Sequence, residues 1–146
     1  MLFSKPEIAA IVDDVATENS VDPALACAIV DTLSDWNPAR LEQSLDPMQY
    51  NPALACQQGP ESRLGLMQFT RAQAQELGFK ETQEELLAPT LNVRVGCLVL
   101  KKALAQTGGE AGRALLLCHG YSIQSLIPKI LNKVKMYRVF LAARPE

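Results

Sequence analysis

The sequence has few aromatic residues, one histidine, no excess of either charge and no long apolar run. Phe, Trp and Tyr make up 5% of the 146 residues, so the core must be built from Leu, Ile, Val and Ala. Apolar residues reach 48%, which at this length suffices for one core without disulfides or metals. The net charge of −2 is mixed along the chain. It leaves no basic stripe of the kind that binds nucleic acid, so none is expected as a partner. No apolar stretch approaches the roughly 20 residues needed to span a bilayer. Met1-Leu2-Phe3-Ser4-Lys5-Pro6-Glu7 lacks the basic start, apolar stretch and cleavage site of a secretory signal, so a route to the cell envelope would be a non-signal one. The cysteines, Cys27, Cys56, Cys97 and Cys118, lie far apart, which argues against a zinc site. Three sit in apolar helical contexts and read as buried thiols, although an even number permits pairing. No cofactor or metal is expected.

What is present is helical periodicity, without repeats or low-complexity segments. Ile8, Ile11, Val12 and Val15 predict a first amphipathic helix within residues 1–19. Ser20-Val21 break it, and Asp22-Pro23 open a second helix, with Asp able to cap the first amides and Pro suited to the first turn. Leu25, Ile29 and Leu33 form its stripe, and Asn37-Pro38 close it. Thr70 and Gln73 have the spacing of a capping box, opening a helix that stops near Gly78. Pro89-Thr90 begin a longer helix with Leu91, Val95, Leu98 and Val99 inside. Gly96 within it costs roughly 1 kcal/mol relative to Ala, which predicts close approach of another helix. Gly108-Gly109 end it. A short helix over Arg113–Cys118 and a last one over Ser125–Ala142, with Leu126, Ile130, Val134, Tyr137 and Leu141 on one face, complete a single all-α domain.

The pattern dissolves between about residues 38 and 63, where Pro47, Asn51-Pro52 and Gly59-Pro60 break any period. Part of this stretch reads as a short helix at Pro52–Gln57 or a small hairpin. Long irregular segments in compact domains are often functional or wrap a cleft.

Five ordered fragments resemble the soluble lytic transglycosylase (SLT) domain of glycoside hydrolase family 23, a goose-type-lysozyme-like fold. Val21 to Val30 is similar to the family's opening helix. Ser34-Asp35-Trp36-Asn37-Pro38 resembles the remainder of its Glu-Ser-Gly-Phe-Asn-Pro run. Gly65-Leu66-Met67-Gln68 matches its Gly-Leu-Met-Gln motif in full. Gln75 to Phe79 resembles the stretch after it, and Asn92, Gly96 and Leu100 fit the pattern that follows Pro89. The resemblance covers residues 20–140, and the long stretch before Gly65 is similar to a subgroup common in phage and prophage proteins. It implies an all-α lysozyme-like fold and peptidoglycan glycan strands as ligand.

Cleaving a glycosidic bond needs a proton donor beside the leaving oxygen, normally a carboxylic acid of raised pKa. The resemblance implies one glutamate for this role, and Leu33 stands in its place. Leucine cannot transfer a proton, and it continues the Leu25, Ile29 stripe. The family's late Tyr-Asn pair falls on Cys118-His119, and a tyrosine of its last helix falls near Leu126, a pattern of drift away from catalysis. Stand-in carboxylates would be Glu42, Asp46 or Glu61, from the irregular stretch. Asp31 and Asp35 flank Leu33 but point to other helix faces. Candidate cleft residues are Ser34, Trp36, Met67, Gln68, His119 and Tyr121. Trp36 suits either sugar stacking or a core anchor, Leu66 and Met67 suit the core, Gln68 suits hydrogen bonding in the cleft wall, and His119 suits a structural hydrogen bond. The leading expectation is an inactive transglycosylase-like domain kept to bind peptidoglycan or to serve a larger assembly, such as a phage tail or baseplate. The alternatives are an active lytic enzyme with a displaced carboxylate and a purely structural protein.

Overall fold

The computed structural model describes residues 5–43 and 62–143. The helices are α1 (Pro6–Glu18), α2 (Pro23–Ser34), α3 (Arg71–Glu76), α4 (Gln83–Leu86), α5 (Pro89–Gln106), α6 (Ala111–His119) and α7 (Ile127–Ala143), with a 3-10 helix at Tyr121–Leu126 before α7. Among them lie three very short strands, β1 (Leu41–Gln43), β2 (Ser62–Leu64) and β3 (Phe69–Thr70). The chain is therefore all-α in class, with one small sheet beside the helices.

Helix α2 is the centre of the fold. Asp22 caps it, accepting a hydrogen bond from the Ala24 amide at 2.9 Å, and Pro23 occupies the first turn. Every residue from Ala24 to Val30 is buried, so this helix is enclosed rather than amphipathic. Fully burying side chains such as Ile29 or Val30 contributes about 1.5–3 kcal/mol each. Helices α1 and α7 both pack on α2, and α1 also packs on α5. The buried face of α1 is Ala9, Val12, Val15 and Ala16, while Ile8 and Ile11 are only partly covered. Small alanines there let the helices approach closely, which displaces the expected Ile8 and Ile11 stripe toward the edge.

The helix ends follow the sequence. Thr70 and Gln73 form the reciprocal capping box, at 3.2 Å and 3.0 Å, and Thr82 with Glu85 forms a second one at the head of α4. Gly78 takes φ +93° after α3, and Gly108 φ +64° after α5, left-handed conformations that glycine adopts without a Cβ penalty.

Two expectations need correction, and that of a small hairpin is met at the ends of the irregular stretch. The ends of the irregular stretch are paired: β1 and β2 run antiparallel with Leu41 opposite Leu64 and Gln43 opposite Ser62, and β2 pairs with β3. A hairpin is thus present at its ends, while Pro52–Gln57 lies outside the described residues. The close approach at Gly96 is made by the Met67 side chain, not by a second helix. The segment before α7 is a 3-10 turn up to Leu126, so the last α-helix starts two residues later than predicted.

Cys27, Cys97 and Cys118 are buried thiols, while Cys56 lies outside the described residues. Burial pushes the Cys97 and Cys118 thiols up to about 12, which leaves them unreactive at neutral pH. Among the described residues no helix is long and apolar enough to cross a membrane, and no three His, Cys, Asp or Glu residues cluster to hold a metal ion.

Candidate functional site

The resembling fragments converge at the C-terminal end of α2. The helix closes in a left-handed turn, with Asp35 at φ +52° and Trp36 at φ +61°, and the Trp36 amide reaches back to the Val30 carbonyl at 3.5 Å. This throws the chain sharply toward the Gly65–Gln68 turn. Ser34, fully buried, places its hydroxyl 2.8 Å from the Val30 carbonyl and 2.9 Å from the Leu66 carbonyl. Its single proton bridges the helix end to the turn, 32 residues later.

The turn itself is locked from several sides. Gly65 has φ +62°, and a Cβ there would lie 2.6 Å from Asn92 Nδ2 and 3.1 Å from the Pro38 carbonyl, so only glycine fits. Its amide donates to the Arg40 carbonyl at 2.7 Å. Gln68, itself at φ +55°, donates its side-chain amide to the Gly65 carbonyl at 2.7 Å and to the Arg40 carbonyl at 3.3 Å. Asn92 from α5 is wholly buried and satisfies three backbone groups. Its Oδ1 accepts from the Met67 amide at 2.9 Å, and its Nδ2 donates to the Leu64 and Leu86 carbonyls at 3.0 Å and 2.9 Å. Met67 drops into the space left by the missing Cβ of Gly96. In the sequence Asn92 is only part of a pattern, and no local signal marks it as the strap.

A second network joins the sheet to α6. Arg63 donates to the carbonyls of Gln68 at 3.3 Å and Cys118 at 3.0 Å, and the Gln73 side chain donates to the Cys118 carbonyl at 2.7 Å. Beside them His119 is buried and bonded to the Gln68 backbone, while its Nδ1 finds no partner among the described residues. Burial, then the neighbouring Arg63 charge, lowers its pKa to about 3 against the opposing pull of the Gln68 bond, so the imidazole is neutral. Arg63 escaped the sequence reading because nothing local announces a cation aimed at helix-end carbonyls.

On the other flank Asp31 faces α7. Tyr137 donates its hydroxyl to Asp31 Oδ2 at 2.7 Å, and Lys133 Nζ lies 3.0 Å from Oδ1. Burial and the Asp31 carboxylate together raise the Tyr137 hydroxyl well above its usual range. The Trp36 ring meets Tyr137 edge-on, with centroids 6.1 Å apart and planes at 71°. Asp31 is thus engaged away from Leu33, and Asp35 sits exposed at the helix cap.

Of the candidate cleft residues, Ser34, Trp36, Met67, Gln68 and His119 are all buried and lie on the three segments that meet around this turn. Tyr121 opens the 3-10 helix directly after α6. Leu33 is 9% exposed at the last turn of α2, within the core cluster. Glu42 lies in β1 opposite Arg63 in register, while Asp46 and Glu61 lie outside the described residues.

The family model described as the transglycosylase SLT domain matches residues 11–122. No curated protein and no solved structure matches the chain. The matched span takes in most of α1, all of α2, the locked Gly65–Gln68 turn, the Asn92 strap and His119. It covers well over half of the sequence, and the chain belongs to the transglycosylase SLT domain family, with its all-α, lysozyme-like architecture.

Proposed function

We propose that this chain is a transglycosylase-type domain without a proton donor, retained to hold peptidoglycan glycan strands rather than to cut them. The observation that carries this reading is Leu33. It stands immediately before Ser34, whose hydroxyl ties α2 to the Leu66 carbonyl, at the place where the family's run has glutamate. An apolar side chain at 9% exposure cannot donate a proton to a leaving oxygen. The scaffold that would present an acid there is nonetheless intact: the helix end, the turn and the Asn92 strap. Family membership supplies peptidoglycan as the ligand class. The likeness of the long stretch before Gly65 to phage and prophage proteins favours a phage tail or baseplate as its setting.

The test uses purified protein on isolated peptidoglycan sacculi, beside Leu33→Glu and the non-ionisable control Leu33→Gln, each checked for native circular dichroism. Released fragments are identified by mass spectrometry and bound protein by co-sedimentation. We expect the native chain to co-sediment and release nothing, and Leu33→Glu alone to release fragments. Release by the native chain would sink the inactive reading and point to a carboxylate from the 38–63 stretch. Absence of co-sedimentation would leave a purely structural role.

A further inference from the structure

The outer faces of the two helices that flank α2 carry opposite charge. Helix α1 has four carboxylates, Glu7, Asp13, Asp14 and Glu18, and no base. Helix α7 has four cations, Lys129, Lys133, Lys135 and Arg138, and no acid. Part of this charge is spent within the fold, since Lys133 pairs with Asp31 and Arg138 with Asp22. What remains points outward. Glu7, Asp14 and Glu18 are exposed, and spacings of seven and four residues align them along one line of α1. Lys129 and Lys135 are exposed on α7. Between and beyond them Met136 is 37% and Val139 65% exposed, two of the three large apolar side chains so open among the described residues. The same face borders a hollow of about 360 Å³, floored by Leu25, Leu104, Leu131 and Val134 and rimmed by Lys135 and Arg138.

Among the described residues no ion pair joins the exposed Glu7, Asp14 or Glu18 to Lys129 or Lys135. Both helices pack extensively on α2, and not on one another to a comparable extent. A second copy brings the acidic line of one molecule to the basic, partly apolar face of the next. We propose that the outer face of α7 docks α1 of a second copy, so that the chain self-associates head to tail. Because the two surfaces differ, the contact is heterologous, and repetition closes a ring or extends a filament. Helices of about 20 Å and 25 Å bury less than the roughly 1,200 Å² at the low end of stable interfaces. The association is therefore weak, concentration-dependent and weakened by salt, since exposed charges are screened beyond about 8 Å at physiological ionic strength.

The experiment is sedimentation velocity across a concentration series, in low and high salt, on the native chain and three variants. One reverses α1 (Glu7→Lys, Asp14→Lys, Glu18→Lys), one reverses α7 (Lys129→Glu, Lys135→Glu), and one carries both sets. All five positions are exposed, and circular dichroism verifies the fold of each variant. We expect the native chain to associate in low salt and dissociate in high salt. Either reversal alone lowers the association constant by about tenfold or more, and the combined reversal restores it. A native chain that stays monomeric at every concentration overturns the proposal. So does association that survives either single reversal, or a monomer retained by anionic vesicles through Lys129 and Lys135, which would assign the face to a lipid surface.

Discussion

Met67 occupies the volume that a Cβ on Gly96 would need: such an atom would collide with Met67 Cβ and Cγ and lie 3.2 Å from Cε. Two residues 29 apart in sequence thus share one site, one by having a flexible side chain and the other by having none. Gly96→Ala gains about 1 kcal/mol in helix propensity, but the clash lies close to the Met67 backbone and cannot be relieved by rotating a far end. We expect a net loss of about 1–3 kcal/mol in urea unfolding. Against a Met67→Gly background, which lacks both clashing atoms, the loss on Gly96→Ala should shrink, and strictly additive losses would show that the two residues do not share the site.

Asp35 closes α2 at φ +52°, where an L-residue costs roughly 1 kcal/mol. Its carboxylate also faces the negative end of the helix dipole. Asp35→Gly removes both penalties at the expense of a freer unfolded chain. A net stabilisation of about 0.5–1 kcal/mol is expected, visible as a raised Tm, and an unchanged or lowered Tm would contradict the cap geometry.

His119 couples stability to acid. Its pKa falls from 6.5 to about 3 on folding, so between those values the unfolded chain binds a proton that the folded chain refuses. The contribution is complete above about pH 6.5 and is lost as pH falls through the window toward 3, with a slope of up to about 1.4 kcal/mol per pH unit. Comparing urea midpoints at about pH 7.5 and pH 5, the native chain should lose on the order of 2 kcal/mol more than His119→Gln, whose side-chain amide can still donate to the Gln68 carbonyl. Equal losses in the two proteins would show that the imidazole is not held neutral.

Helix starts and stops were legible because their chemistry is local. Asp22-Pro23, Thr70 with Gln73, Gly78 and Gly108 each act within one turn of where they stand. The buried faces were less so: Ile8 and Ile11 outrank Ala9 and Ala16 in hydrophobicity, but close packing on α2 and α5 selects the smaller pair. Strands of two or three residues are too short to display alternation, and β1 finds its partner only after a long excursion, so pairing was invisible locally. The site divides similarly. Ser34, Met67 and Gln68 could be named from the motif, whereas what holds them, Asn92 from α5 and Arg63 reaching the carbonyl of Cys118, acts across distances that no window of sequence contains.

The pairing of β1 with β2, reinforced by the Gly65 amide on the Arg40 carbonyl, fastens together residues 41–43 and 62–64. Whatever runs between Gln43 and Ser62 starts and finishes at one clasp. The closure entropy of such a segment grows only slowly with its length, about 0.6 kcal/mol for each doubling. The clasp therefore fixes both ends of residues 44–61, so a change in the length of that segment alters its closure entropy little.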